Sequence, residues 1–109
     1  MIIRVFRPRV RPGHQKEFES FLRETAVPLI AKQQGLIAQH VGLPFEADGR
    51  EFVYVTVWQD VASIRSFAGD DWQAAVIDPS EEHMLEETSI AHYIALGPDG
   101  DATRQVGDQ

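Results

Sequence analysis

The chain has 109 residues, no cysteine and a formal net charge of −7 at neutral pH. That length, without any shift of composition along it, points to one core, and the missing cysteines exclude disulfides, thiolate metal sites and a cysteine nucleophile. The acidic balance argues against a nucleic-acid partner: Arg4, Arg7, Arg9 and Arg11 have no interleaved aromatic stacking partners and are assigned to a strand end or interface.

The first element is a strand over residues 2–10, loosely alternating, rich in β-branched and aromatic side chains and stopped by Pro12-Gly13. The Met1–Arg7 stretch is too short an apolar run for a signal peptide and no window reaches the length of a membrane span, so a cytoplasmic protein with no membrane partner is expected. The period then changes. Phe18, Phe21, Leu22, Thr25, Leu29 and Ile30 recur at three- and four-residue steps, opposite Lys16, Glu17, Glu19, Arg23 and Glu24, which predicts an amphipathic helix. Pro28 removes a backbone donor inside it, so a kink or break is expected near Val27, with the helix closing before Gly35.

A second strand over residues 36–43 and a connection containing Asp48-Gly49 lead to the strongest β signal, residues 51–58. There Val53, Val55 and Val57 share one face while Phe52, Tyr54, Thr56 and Trp58 share the other. Both faces are largely apolar, so both should be covered. Asp60 suits the cap of a helix carrying Ile64 and Phe67 and closed by Gly69, followed by a further helical turn through Trp72, Ala75, Val76 and Ile77. Asp78-Pro79-Ser80-Glu81 reads as one more helix start, running to about Glu86, before a fourth strand over residues 88–96. Residues 97–109, with Val106 as their one large aliphatic, are expected to be a disordered tail behind a domain spanning 1–96.

The order strand, helix, strand, strand, broken helix, strand is the split βαβ arrangement: an α+β, ferredoxin-like, four-stranded antiparallel sheet with helices on one face. The face carrying Val53, Val55 and Val57 would then lie bare, which a second copy could cover by pairing sheet to sheet, so a homodimer is expected. Motifs for common chemistries are missing. There is no glycine-rich phosphate loop, no GxSxG elbow and no HExxH or paired-histidine pattern, so neither cofactor nor metal is expected.

Several runs together carry a resemblance: Pro12-Gly13-His14-Gln15-Lys16-Glu17-Phe18, then Pro28 with Gln33-Gln34-Gly35-Leu36, then Phe52-Val53-Tyr54-Val55-Thr56-Val57-Trp58 ahead of a helix with Phe67, and His92-Tyr93 near the end. In that order and spacing the sequence resembles the antibiotic biosynthesis monooxygenase family over residues 1–96. The resemblance implies a dimeric α/β barrel with a pocket inside each protomer, between sheet and helices. Carried onto this chain, it implies a floor of Arg4, Phe6, Phe52, Tyr54 and Trp58, walls of Phe21, Phe67 and Trp72, and a small, flat aromatic or hydrophobic ligand.

Trp58 reads either as an indole that packs a planar substrate and donates one hydrogen bond, or as a core residue at a strand end. Tyr54 could help to stabilise a substrate anion. His83, beside Glu81, Glu82, Glu86 and Glu87, reads either as a general base at the pocket mouth or as a solvated surface histidine. His92, alternating with Ile90 and Ile94, reads as a sheet histidine and a candidate for the lining, while His40 reads as a sheet histidine and His14 as a solvated turn residue. The family resemblance suggests a cofactor-independent monooxygenase of aromatic or polycyclic phenolic molecules. Two alternatives stand beside it. One is a haem-degrading monooxygenase, for which the tryptophan is kept as Trp58 while the asparagine and histidine of such relatives fall on Phe6 and Val76; the other is a non-catalytic dimer that binds a small molecule.

Overall fold

The computed structural model describes residues 1–97; the expected disordered tail lies outside the described residues, apart from Gly97. Strand β1 (Ile2–Val10) leads into helix α1 (Gln15–Phe21), a π-helical stretch over Leu22–Ala26 and helix α2 (Val27–Ala31). Strands β2 (Leu36–Gly42) and β3 (Val53–Trp58), helix α3 (Val61–Ala68), a short 3-10 turn (Glu82–Met84) and strand β4 (Leu85–Ile94) follow among the described residues. The strands form one antiparallel sheet in the order β2-β3-β1-β4, with the two chain-end strands hydrogen-bonded to each other, as the split βαβ reading requires.

The effect of Pro28 is spread over a turn rather than confined to a kink. Without an N–H on Pro28 the carbonyl four residues earlier loses its donor, and the ladder widens to the π spacing over Leu22–Ala26 before α2 resumes at Val27. Gly35 then takes φ +85°, and a Cβ there would lie 2.0 Å from Ser63 Oγ on α3. Both the left-handed backbone and the close approach of α3 call for glycine at this junction. Asp60 caps α3 as expected, accepting from the Ser63 N–H at 2.8 Å, and Gly69 ends it at φ +88°.

The two-faced character of β3 is plain in the burial. Phe52, Tyr54, Thr56 and Trp58 are buried under the helices, whereas Val53, Val55 and Val57 are half-buried. Register places Arg4 and Phe6 opposite Thr56 and Tyr54 on the helix side, and Ile3 and Val5 opposite Val57 and Val55 on the other. The core has two lobes on the helix side. One gathers Val10, Phe18, Leu22, Phe52, Tyr54, Met84 and Leu85 near α1, and the other gathers Ile2, Trp58, Val61 and Ile64 beneath α3.

Two expected helical segments are absent. After Gly69 the chain runs as turns and irregular backbone to Glu81, and only the 3-10 turn follows before β4 begins at Leu85, three residues ahead of the expected start. Asp78 spends its carboxylate locally, on the N–H (2.8 Å) and hydroxyl (2.6 Å) of Ser80, which makes a turn rather than a helix. Sheet pairing then takes over: Arg11 N–H donates to Met84 O at 2.8 Å, and Leu85 and Glu87 pair with Val10 and Arg9 across a bulge in β4, where Glu86 is the extra residue. These non-local bonds outweigh the helix-start pattern. No helix among the described residues is long and apolar enough to cross a membrane.

Candidate functional site

A cavity of about 80 Å³ opens between the sheet and the helical layer. Its floor comes from alternate residues of β1 (Arg4, Phe6, Pro8) and of β3 (Tyr54, Thr56), as the period of two requires. Phe18, Phe21, Leu22 and Ile30 form the wall on one side and Phe67 of α3 on the other, while Ala75, Val76 and Glu81 close it from the irregular strap over residues 69–81. The strap replaces a regular second helix and is the only irregular wall among the described residues. Pockets that enclose drug-sized ligands usually span about 300–1,000 Å³, so a polycyclic guest would require this cavity to widen.

Arg4 is the dominant polar group of the floor. It is 5 % exposed, and its guanidinium donates to the carbonyls of Trp72 and Ala74 (3.0 Å for the latter) and to Nε2 of His92 at 2.8 Å. Arginine has no acceptor and stays protonated, so His92 Nε2 accepts and its proton sits on Nδ1. Burial lowers the Arg4 pKa to about 10, which leaves the charge intact at neutral pH. Burial, with a further push from the Arg4 charge, holds His92 down at about 4, so this imidazole is neutral. Among the described residues no carboxylate forms an ion pair with Arg4, and two of its N–H donors have no acceptor. A buried cation without a counter-ion is electrostatically incomplete, and its neighbouring cavity is where an anion would complete it.

Three further polar groups line the space. Tyr54 donates its phenol to Gln39 Oε1 (2.5 Å), Gln39 in turn donates to Val27 O (3.3 Å), and burial raises the phenol pKa to about 12. The phenol is therefore protonated and already engaged. Thr56 accepts the Trp58 indole N–H on Oγ1 at 2.8 Å, which leaves its own hydroxyl proton free to point into the cavity. Glu81 is 5 % exposed; burial raises its carboxyl to about 7, partly opposed by a hydrogen bond from the Asp78 backbone and reinforced by the Asp78 charge.

The structure thus brings Arg4, Phe6, Phe21, Phe52, Tyr54 and Phe67 together around one cavity. Trp58, Trp72, His92 and His83 do not line it. Trp58 is fully buried and stacks on Phe67 with ring centroids 5.4 Å apart, so it reaches the cavity only through Phe67 and Thr56. Trp72 and His92 meet edge to face at 4.9 Å, and the Trp72 carbonyl and His92 Nε2 both accept from Arg4. His83 lies at the surface with Nε2 2.9 Å from Glu17 Oε2. Glu81 was hidden in the sequence because its place in Asp78-Pro79-Ser80-Glu81 reads as a capping position; the contrary signal is that an irregular segment can turn such a carboxyl inward.

A family model described as antibiotic biosynthesis monooxygenase matches residues 1–77. The chain belongs to that family. No curated protein sequence matches it significantly. Solved structures share the family fold at low identity. A variant of SnoaB, a cofactor-independent oxygenase from Streptomyces nogalater, is 22 % identical with a TM-score of 0.65, covering 86 % of this chain and 91 % of that one. A conserved protein from Methanosarcina mazei Go1 is 24 % identical with a TM-score of 0.66, covering 85 % and 91 %. A variant of MhuD carrying two manganese protoporphyrin IX molecules per active site is 16 % identical with a TM-score of 0.64, covering 88 % and 95 %.

The porphyrin-bound structural neighbour raises the question of whether this cavity fits haem. Phe6 and Val76, which occupy the asparagine and histidine positions of haem-degrading relatives in the sequence register, both face the cavity, and both are apolar. No histidine lines it among the described residues. The lining therefore offers no imidazole donor, and its one phenol, Tyr54, is protonated and bonded to Gln39, so the residues present do not fit the group.

Proposed function

We propose that the protein is a cofactor-independent monooxygenase that binds a small aromatic, phenolic substrate between sheet and helices and oxygenates it as its anion. The observation that supports this most is the buried Arg4 guanidinium, which among the described residues has spare donors and no counter-ion, and which sits on the floor of a largely aromatic cavity. A fixed cation in a low-dielectric pocket stabilises a phenolate or enolate far better than water-screened charge does, and needs no reorganisation when the charge forms. Phe6, Phe21 and Phe67 supply the flat apolar walls, and Glu81, the one carboxyl on the lining among the described residues, would receive the substrate proton.

The electron-rich anion then reduces dioxygen itself. One electron passes from substrate to O₂, the resulting radical and superoxide combine to a carbon–oxygen bond, and the peroxide loses water to leave a carbonyl. A CH₂ group and one O₂ become C=O and one H₂O, so atoms and electrons balance without an external reductant. The strap over residues 69–81 would open to admit substrate and close over it to exclude water.

We also infer a homodimer, with a second copy seated on the sheet face away from the helices. Val53, Val55 and Val57 there are half-buried and Tyr93 is 52 % exposed, so the face is apolar and within reach of a partner. Sedimentation should give twice the chain mass. The functional test is oxygen uptake by the purified chain with a panel of hydroxylated aromatics and no added flavin, haem or metal. One O₂ consumed per quinone-type product supports the reading; ligands that bind saturably but are never turned over would replace it with a non-catalytic binding dimer.

A further inference from the structure

Away from the cavity, the fold assembles a cluster that the proposed chemistry does not use. Glu17, in the first turn of α1, and His14, three residues earlier at its cap, share one face of the helix start. His83 arrives from the 3-10 turn because sheet pairing carries it there: Arg11 N–H bonds Met84 O at 2.8 Å, and His14 N–H bonds Arg11 O at 3.1 Å. The carboxylate of Glu17 bridges the two imidazoles, with one oxygen 2.9 Å from His14 Nδ1 and the other 2.9 Å from His83 Nε2. One donor atom from each of the three lies within 4.8 Å of the others.

We propose that His14, Glu17 and His83 form a binding site for one divalent transition ion, with Zn²⁺ as the reference metal. Two imidazole nitrogens and one carboxylate oxygen are the donor set that such ions prefer, whereas Mg²⁺ and Ca²⁺ favour all-oxygen shells. With metal–ligand bonds of about 2.0–2.2 Å, ligand atoms around one tetrahedral ion sit about 3–4 Å apart, which small side-chain rotations reach from the observed spacing. Each of the three side chains is between one-third and three-fifths exposed, so the ion enters directly from solvent and keeps positions open to water. The elements it joins are distant in sequence. The bound ion ties the start of α1 to the turn that ends the strap, two residues beyond Glu81, and so anchors the lower end of the cavity's movable wall.

The test is a titration of the tag-free full-length chain with Zn²⁺, and with Co²⁺ as a visible-absorption probe, followed by calorimetry and thermal melting. The expected result is saturable binding of one ion per chain, a rise in Tm with metal that EDTA reverses, and at least about tenfold weaker binding in both His83→Ala and Glu17→Gln, since even indirect supports of a metal site cost about 10–100-fold. His40→Ala, remote from the cluster in sequence and on β2, should bind as wild type does. Binding that is not saturable, or that survives His83→Ala unchanged, would overturn the proposal and leave the cluster as a pair of imidazole–carboxylate hydrogen bonds. Circular dichroism of each metal-free variant verifies folding; should His83→Ala not fold, the milder His14→Gln carries the same comparison.

Discussion

The two sides of the helical layer are built differently. On the α1 side the cavity wall is continuous helix, α1 through the π stretch to α2, pinned by Phe18, which is 1 % exposed and meets Phe52 edge to face at 5.0 Å. On the other side α3 stops after eight residues and an irregular strap takes over, held by hydrogen bonds from Arg4 to the Trp72 and Ala74 carbonyls. The contrast teaches how differently the two walls are held: aromatic packing fixes one, and a buried cation that also faces the cavity holds the other. On the proposed function, an anion that engages the spare donors of Arg4 would bind the same group that anchors the strap, which would couple its arrival to the position of that wall.

The comparison can be broken from either side. The largest effect is expected from Phe18→Ala, which empties a packed ring beneath the helical wall and should cost about 3–5 kcal/mol of folding stability, read by denaturant unfolding. A loss under about 1 kcal/mol would mean that this wall is as adaptable as the strap. Asp60→Ala removes the cap of α3, at the root of the strap, and should cost about 1 kcal/mol in the same assay.

The smallest effect is confined to a pH window. His92 is held at about 4, below its ordinary value near 6.5, so its contribution to stability is complete above pH 6.5 and is lost as pH falls toward 4. His92→Gln keeps an acceptor for Arg4 but cannot titrate. The wild-type-minus-variant stability should therefore decline between pH 6.5 and 4, while titrations elsewhere, that of Glu81 included, are common to both proteins and cancel. A pH-independent difference would show that His92 is not buried against the Arg4 charge.

Much of the scaffold was legible because local chemistry and tertiary packing agree there. The alternation of residues 52–58 marks its helix-facing and open sides, Asp60 caps α3, and Gly35 sits where both backbone and neighbour exclude a side chain. The strap was not legible, since Asp78-Pro79-Ser80-Glu81 carries every local mark of a helix start while the pairing of Leu85 with Val10 is a bond to the far end of the chain. The same limit applies to individual site residues. The two readings of Trp58 differ only in whether Phe67 stacks over the indole, and the partner of His83 is Glu17, 66 residues away, rather than the acidic residues beside it in sequence. Arg4 could be placed on the floor from the family resemblance, but its want of a counter-ion among the described residues is a property of the assembled site.

The most direct test of the account is the affinity of the wild-type chain and of Arg4→Met for matched pairs of hydroxylated aromatics and their O-methyl ethers. If the buried guanidinium is an anion site, the wild type should prefer the ionisable member and lower its pKa on binding, and Arg4→Met should lose about tenfold or more of that preference while still binding the ethers. Equal affinity for both members of each pair in the wild type, or an unchanged preference in Arg4→Met, would contradict it.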